Sequence, residues 1–231
     1  DFVAVGRAQI ADPEWCLKAR EGRSYEIRRC LSCCYCLESE GIVAHARCSV
    51  NPRMGKSVAF SEPPRKNGNG RRVAVVGGGP AGIEASIILG QRGFDVTLFD
   101  KGSQLGGSMN LADKTMPYKD KLTKLTRVLI GEVERAGVHV RLNTEATPEL
   151  VKELEPEAVF LAGGAEPFIP QIPGIDRENV VLANDYITGK REVSGRVVLV
   201  GGGLTGLETA EMLTHSGKVT ELTIADMLPE I

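Results

Sequence analysis

Four cysteines stand close together in this chain, as Cys30-x2-Cys33-x2-Cys36-x11-Cys48. Thiolates in such a group are soft ligands for an iron–sulfur cluster or for zinc. About thirty residues later comes Gly77-x-Gly79-x-x-Gly82, and the same spacing recurs at Gly201-x-Gly203-x-x-Gly206. Glycines so spaced, after an apolar strand and before a helix, cradle the pyrophosphate of a dinucleotide. Together these groups point to electron transfer between a flavin or nicotinamide and an iron–sulfur cluster.

Each glycine has a job. Gly77 makes the tight turn, Gly79 lets the backbone approach the pyrophosphate, and Gly82 lets helix and strand pack closely. Asp100, eighteen residues after Gly82, is the acceptor for the adenosine ribose hydroxyls. The helix N-terminus adds free N–H groups and the positive end of a dipole. A plain strand–turn–helix with incidental glycines is the competing reading. It is disfavoured because Gly201, Gly203, Gly206 and Asp226 repeat the arrangement about 124 residues on. Asp226 favours NADH, since a carboxylate there repels a 2′-phosphate; basic residues further on would allow NADPH.

The cysteines leave three readings open. Structural zinc commonly uses two CxxC pairs, whereas here three ligands crowd together and the fourth is remote, as in cluster ligation. A redox-active CxxC lacks a thioredoxin-like setting. Cys34 competes as a ligand, and Cys16, beside Trp15, reads as a core thiol. His45, His139 and His215 show no partner pattern.

The elements that must position these groups follow from the pattern. Residues 2–5 are β-prone and end at Gly6-Arg7, an arginine suited to phosphate. Asp12-Pro13-Glu14-Trp15 reads as a helix start, with proline at the first helical position and the helix running to 21. Residues 56–70, with Pro63-Pro64 and Asn67-Gly68-Asn69-Gly70, read as a linker. Then come a strand at 72–76, a helix at 81–91 and a strand at 94–99. A helix at 119–136 follows, with Leu122, Leu125, Val128, Leu129 and Val133 on one face. Strands at 138–142 and 158–161 precede the second unit, a strand at 197–200, a helix at 207–214 and a strand at 222–225.

The chain has 231 residues, 42% of them hydrophobic, with net charge −2 and pI near 6.0. That balance gives no electrostatic reason for nucleic acid or an anionic membrane as partner. No apolar run approaches the roughly 20 residues a bilayer requires, and the opening residues are not expected to act as a signal peptide. Five of the six cysteines fall between Cys30 and Cys48, which suits a reducing, cytoplasmic setting better than a disulfide scaffold. The chain opens on a β-prone run without methionine and stops just after a strand, as expected of the middle of a longer polypeptide.

Several of these motifs occur together in one known family. Val5-Gly6-Arg7-Ala8, Ala11-Asp12-Pro13-Glu14-Trp15, the four cysteines followed by Val50-Asn51-Pro52, and the run from Val75 through Gly82 resemble the 2,4-dienoyl-CoA reductase and clostridial 2-enoate reductase family. These are the large members of the Old Yellow Enzyme group, to which trimethylamine dehydrogenase is related. The resemblance implies an α/β fold: the tail of a TIM barrel, an iron–sulfur loop, then Rossmann-like domains of the two-dinucleotide-binding type. The implied boundaries are 1–24 for the end of the FMN barrel, 25–56 for the [4Fe-4S] segment, 57–70 for the linker, 71–190 for the FAD domain and 191–231 for the start of the NAD(P)H domain.

By the same resemblance, Gly6 and Arg7 match the FMN-phosphate site, and Cys30, Cys33, Cys36 and Cys48 the cluster ligands. Ala81, Asp100, Ser108, Lys119 and Ala146 fall where family members contact FAD, and Gln104-Leu105-Gly106-Gly107 matches a second glycine motif. The region from Gly201 to Gly206 matches the NAD(P)H site. The implied enzyme passes electrons from NADH through FAD, [4Fe-4S] and FMN to an activated C=C bond of a 2-enoate or 2,4-dienoyl-CoA substrate. Two departures stand out. Ala162-Gly163-Gly164 replaces the usual Ala-Thr-Gly, losing a hydroxyl. The CxxCxxC form is closer to the amine dehydrogenases, which bind ADP in place of FAD. An amine dehydrogenase, and a non-catalytic electron-transfer or nucleotide-binding module, therefore stay open as alternatives.

Overall fold

A run of Val73, Ala74, Val75 and Val76 has no polar side to turn to solvent, so it belongs in the middle of a parallel sheet covered on both faces. In the computed structural model, which describes residues 2–43, 46–56, 62–115 and 120–225, that is where it lies. Strand β1 (Arg72–Val76) pairs in parallel with β2 (Asp95–Phe99) on one side and with β4 (Ala158–Leu161) on the other. Strand β3 (His139–Arg141) pairs in parallel with β2, giving the order β3-β2-β1-β4. Helices α4 (Pro80–Gln91), α6 (Asp120–Arg135) and α7 (Pro148–Glu153) carry the parallel crossovers.

The core lies between this sheet and the helices. Val73, Val75, Val96 and Leu98 meet Ile83 and Ile87 of α4 and Leu125, Leu129 and Val133 of α6, all at most 6% exposed. Each such side chain contributes about 2 kcal/mol by leaving water. Leu122 and Val128, expected on the same face of α6, are half-buried. The chain passes from β1 to β2 and β3 on one side and returns to β4 on the other. The crevice at the carboxyl ends of β1 and β4 is thus the point where strand order reverses, the place where open α/β sheets bind ligands.

The chain divides into two compact units, residues 1–109 with 121–164, and residues 110–120 with 165–231. The second holds a parallel pair, β5 (Gly195–Val200) and β6 (Val219–Ala225), joined by α9 (Leu204–His215). A short helix α8 (Ala183–Ile187) precedes them. The helix α5 (Ser108–Thr115) carries the chain from one unit into the other. This division by compactness follows the packing, whereas the expected boundaries at 24, 56, 70 and 190 follow the cofactors.

The first 56 residues depart from expectation in four places. Residues 2–5 form no strand. They pair with nothing among the described residues, and Phe2 and Val3 are exposed. β-propensity alone makes no strand without a neighbour to share hydrogen bonds. Arg7 therefore opens helix α1 (Arg7–Ala11) rather than closing a strand. Helix α2 runs over Trp15–Arg20, with Pro13 in the turn before it. The buried Asp12 shapes that turn, its Oδ1 accepting from the Glu14 N–H at 3.0 Å and its Oδ2 from Lys18 Nζ at 2.8 Å. Lys18 is thereby turned inward and Cys16 outward, so Cys16 is an exposed thiol and not a core one. A one-turn 3-10 helix (Ser24–Glu26) leads into the cysteine segment, which contains helix α3 (Tyr35–Val43) where a loop was expected. Residues 62–71 hold no helix or strand.

The cysteine segment is tied to the sheet unit by one arginine. Arg28 donates from Nε to both carboxylate oxygens of Glu132 on α6, at 2.9 and 3.1 Å, and its NH2 bonds Glu132 as well. The same NH2 reaches Glu84 Oε2 on α4 at 2.9 Å, and NH1 reaches the Val50 carbonyl at 3.4 Å. Its own N–H is accepted by Asp12 Oδ2 at 3.0 Å. Burial pushes the guanidinium pKa down, but the bonds and charges of Glu132 and Glu84 outweigh that and hold it above its ordinary value. Breaking a largely buried ion pair from one side strands the other charges. Arg28→Met is expected to cost about 3 kcal/mol, toward the lower end for such groups because Glu84 keeps some solvent. A urea midpoint unchanged from wild type would refute this.

Candidate functional site

At the crevice, the first glycine cradle is locked from several sides. Gly77 takes φ +105°, and a Cβ there would lie 2.2 Å from the Ala162 carbonyl oxygen at the end of β4. A Cβ on Gly82 would lie 1.8 Å from the Gly77 oxygen. Gly79 differs. It is the N-cap of α4 and nothing lies within 4 Å of where its Cβ would be. Open space at the mouth of a helix whose first N–H groups lack helical partners is where a pyrophosphate is held. Ala81 is exposed in that first turn.

Asp100, at the end of β2, has a role that the sequence does not disclose. Its Oδ2 accepts from the Gly78 N–H and its Oδ1 from the Gly102 N–H, both at 2.6 Å. The carboxylate thus fixes the glycine turn itself and keeps further lone pairs for a ribose. Gly78, which the spacing passes over, is constrained as well. A Cβ there would meet Leu105 Cδ2 at 2.5 Å and Asp100 Oδ2 at 2.8 Å. The second glycine motif closes on the first, with the Gly106 N–H bonded to the Gly78 oxygen at 2.8 Å. Gly107, at φ +52°, leaves no room for a Cβ, which would lie 2.9 Å from Gly79 Cα. Ser108 follows, exposed, as the first residue of α5. Ala146 lies on the loop after β3, which is tied to this edge by Thr144 N–H to the Asp100 oxygen and Asn143 N–H to the Gly102 oxygen, both at 2.9 Å. Lys119 lies outside the described residues, as do Asp226 and His45.

The second cradle repeats the first within its own unit. Gly201 takes φ +109° and donates to the Ala225 oxygen at 2.8 Å, as Gly77 donates to the Phe99 oxygen at 2.8 Å. A Cβ on Gly206 would lie 2.1 Å from the Gly201 oxygen, while Gly203, the N-cap of α9, has nothing within 4 Å. Ala225, the last described residue of this unit, ends β6. Two cradles of one geometry, each with an open middle glycine, fit two dinucleotides.

All six cysteines are free thiols. The two limbs of the cysteine loop meet where Cys33 Sγ lies 3.4 Å from Ser49 Oγ, next to Cys48. Cys30 Sγ accepts from the Ser32 N–H and Cys48 Sγ from the Val50 N–H, each at 3.4 Å. Cys36 is half-buried in the first turn of α3. Partial burial pushes the Cys33 thiol up. Its bonds with Ser49 and the backbone, with the charge of Arg7, outweigh that and hold it below its ordinary value. Among the described residues, no three His, Cys, Asp or Glu side chains converge as ligands of one metal ion do. A four-iron cluster takes one thiolate per iron and spaces its sulfurs more widely than a single zinc. Free thiols on two adjoining limbs, two of them accepting N–H bonds, fit such a cluster.

Cys34 stands apart from this set. It is exposed, at φ +57°, and accepts from Arg7 NH1 at 3.3 Å. Arg7, expected at a phosphate, therefore has one amino group on the cysteine loop. Gly6 precedes it as the N-cap of α1, with nothing within 4 Å of a Cβ position. Among the described residues no helix is long and apolar enough to cross a membrane.

Comparison with known proteins agrees with this arrangement. The profile of the pyridine nucleotide-disulphide oxidoreductase family matches residues 71–231. The whole chain is 43% identical to a protein named NADH oxidase from Thermoanaerobacter brockii, covering 36% of it. It is 36% identical to a cinnamate reductase from Clostridium sporogenes, again over the whole chain and covering 34% of that protein. The solved structure of 2-naphthoyl-CoA reductase with 2-naphthoyl-CoA matches 94% of the chain at TM-score 0.87 and 33% identity, with 33% of that protein covered. The chain thus spans about a third of the length of these relatives. It belongs to the pyridine nucleotide-disulphide oxidoreductase family over residues 71–231 and, as a whole, to the flavoproteins of the enoate and dienoyl-CoA reductase type.

Proposed function

We propose that this chain is the electron-input part of an enzyme that reduces an activated C=C bond, of the 2-enoate or 2,4-dienoyl-CoA type, with NADH. Overall, NADH, a proton and the C=C bond give NAD+ and the saturated product. When bound, NADH would supply hydride to FAD, and a [4Fe-4S] cluster would pass the electrons singly to FMN. The chain's own part is to hold these groups. Gly77, Gly79, Gly82 and Asp100 would seat FAD, and Gly201, Gly203, Gly206 and Asp226 would seat NADH. Cys30, Cys33, Cys36 and Cys48 would ligate the cluster, and Gly6 and Arg7 would face the FMN phosphate.

One observation supports a cluster near the first cradle. Cys30 and Cys48 pack against the same core that holds Val73 and Val75 of β1 and Ile83 of α4. Two of the four proposed ligands therefore border the core on which the first cradle is built. This supports a carrier placed beside the flavin rather than a remote structural metal.

The test is the cofactor content of the anaerobically purified full-length enzyme, followed by its choice of reductant. FAD, FMN and iron together support the proposal. ADP with FMN would favour an amine dehydrogenase sending electrons outward, and absence of flavin a non-catalytic module. Because a carboxylate at Asp226 repels a 2′-phosphate, NADH should reduce the flavin much faster than NADPH at equal concentration. Asp226→Asn should narrow that gap. A clear preference for NADPH in stopped-flow absorbance would overturn this nucleotide assignment.

A further inference from the structure

We propose that Lys121, on helix α6, is a positioning residue that raises the reduction potential of the group held by the cysteine loop. This rests on the reading of that loop as a cluster site. Lys121 Nζ donates to Ser32 Oγ at 3.1 Å. Ser32 lies between Cys30 and Cys33, and its own N–H is the one that points at Cys30 Sγ, at 3.4 Å. Lysine, serine and ligand sulfur thus form one short chain of contacts.

The backbone gives this contact its weight. Ser32 and Cys34, at φ +60° and +57°, are both left-handed residues with a side chain. Such a conformation persists only where the surroundings hold it. Each of the two is held by a cation: Ser32 by Lys121 from α6, and Cys34 by Arg7 from α1, with Cys34 Sγ also 3.7 Å from the Ser32 oxygen. The helix dipole does not favour Lys121, because a cation in the first turn opposes it.

Two effects of the same sign follow. Reduction adds one negative charge to the cluster, and a nearby ammonium favours it. Holding Ser32 keeps its N–H on the Cys30 sulfur, and hydrogen bonds to ligand sulfurs also set cluster potentials. Arg7 faces the loop as well, but it belongs to the proposed FMN site, so Lys121 is the residue that can be changed cleanly.

The experiment is a redox titration of the cluster in the holoenzyme, followed by electron paramagnetic resonance, with iron and FAD measured on each sample. Lys121→Gln should keep both and shift the reduction equilibrium against the reduced form by about fivefold, on the order of 40 mV at 59 mV per tenfold. Lys121→Arg should restore most of the shift. Ser32→Gly tolerates the left-handed backbone and removes the hydroxyl. It should lower the potential too, and Lys121→Gln should add little on top of it. A full cluster whose potential does not move in Lys121→Gln would overturn this inference alone. A holoenzyme without iron would overturn it together with the cluster reading.

Discussion

With Cys36 replaced by alanine, the full-length enzyme is expected still to let NADH bleach FAD, while no electrons reach FMN or substrate. The two halves of this expectation have different physical sources. FAD reduction depends on the two glycine cradles, whose geometry is set by backbone contacts between strands and helices, none involving Cys36. In the proposed relay, passage to FMN would depend on the cluster, which three of its four thiolates would not hold closed. Cys34, two residues away, is the obvious substitute ligand. It is occupied by Arg7 and the Ser32 carbonyl in a left-handed backbone conformation, so it is not expected to rescue the variant. Iron content should fall to background, and the broad absorption beneath the flavin bands should vanish with it. Anaerobic stopped-flow absorbance separates the two steps. Normal turnover of an enoate with NADH would make the cluster structural and the relay mistaken. Zinc without iron in the wild-type protein would overturn the ligand assignment itself.

What the sequence discloses and what it hides follow from the range of the interaction. The strands β1 and β2 are legible because a parallel strand covered on both faces reads as a mainly apolar run ending at a glycine or aspartate; β4 is equally apolar in sequence, although its side chains are exposed. The two cradles are legible because their glycines answer local steric demands that recur at fixed spacing. The short helices α5, α7 and α8 are not, since five to eight residues carry too few turns to show an apolar period. For α7 a signal was present in Thr147-Pro148, an N-cap whose Oγ1 accepts from the Leu150 N–H at 3.3 Å. The expected strand at residues 2–5 and the expected burial of Cys16 fail for one reason: each depends on a neighbour, not on the segment itself. Arg28 makes the point most clearly. Its partners Glu84 and Glu132 are 56 and 104 residues away, and no spacing rule joins them.

Gly82→Ala should empty the first cradle and leave the second intact, whereas Gly206→Ala should do the reverse. The reason is a single methyl group set against backbone. At Gly82 the new carbon would lie 1.8 Å from the Gly77 oxygen, and at Gly206 2.1 Å from the Gly201 oxygen. Neither obstacle is a flexible side chain, so relief requires the turn and the helix to move apart. At Gly82 the turn has little freedom. The Ala162 carbonyl crowds Gly77 on one side, and Asp100 and Gly106 hold Gly78 on the other. Overpacking of this kind costs about 3 kcal/mol or more, which at 1.4 kcal/mol per decade weakens binding on the order of 100-fold. Gly82→Ala should therefore be purified with little FAD while still binding NADH. Gly206→Ala should retain FAD, reducible by dithionite, but respond weakly to NADH. Flavin extraction and NADH titration of both variants decide the matter. If Gly82→Ala holds a full complement of FAD, the first cradle is not the FAD site. If Gly206→Ala is reduced by NADH as fast as wild type, the second cradle is not where the nicotinamide nucleotide enters.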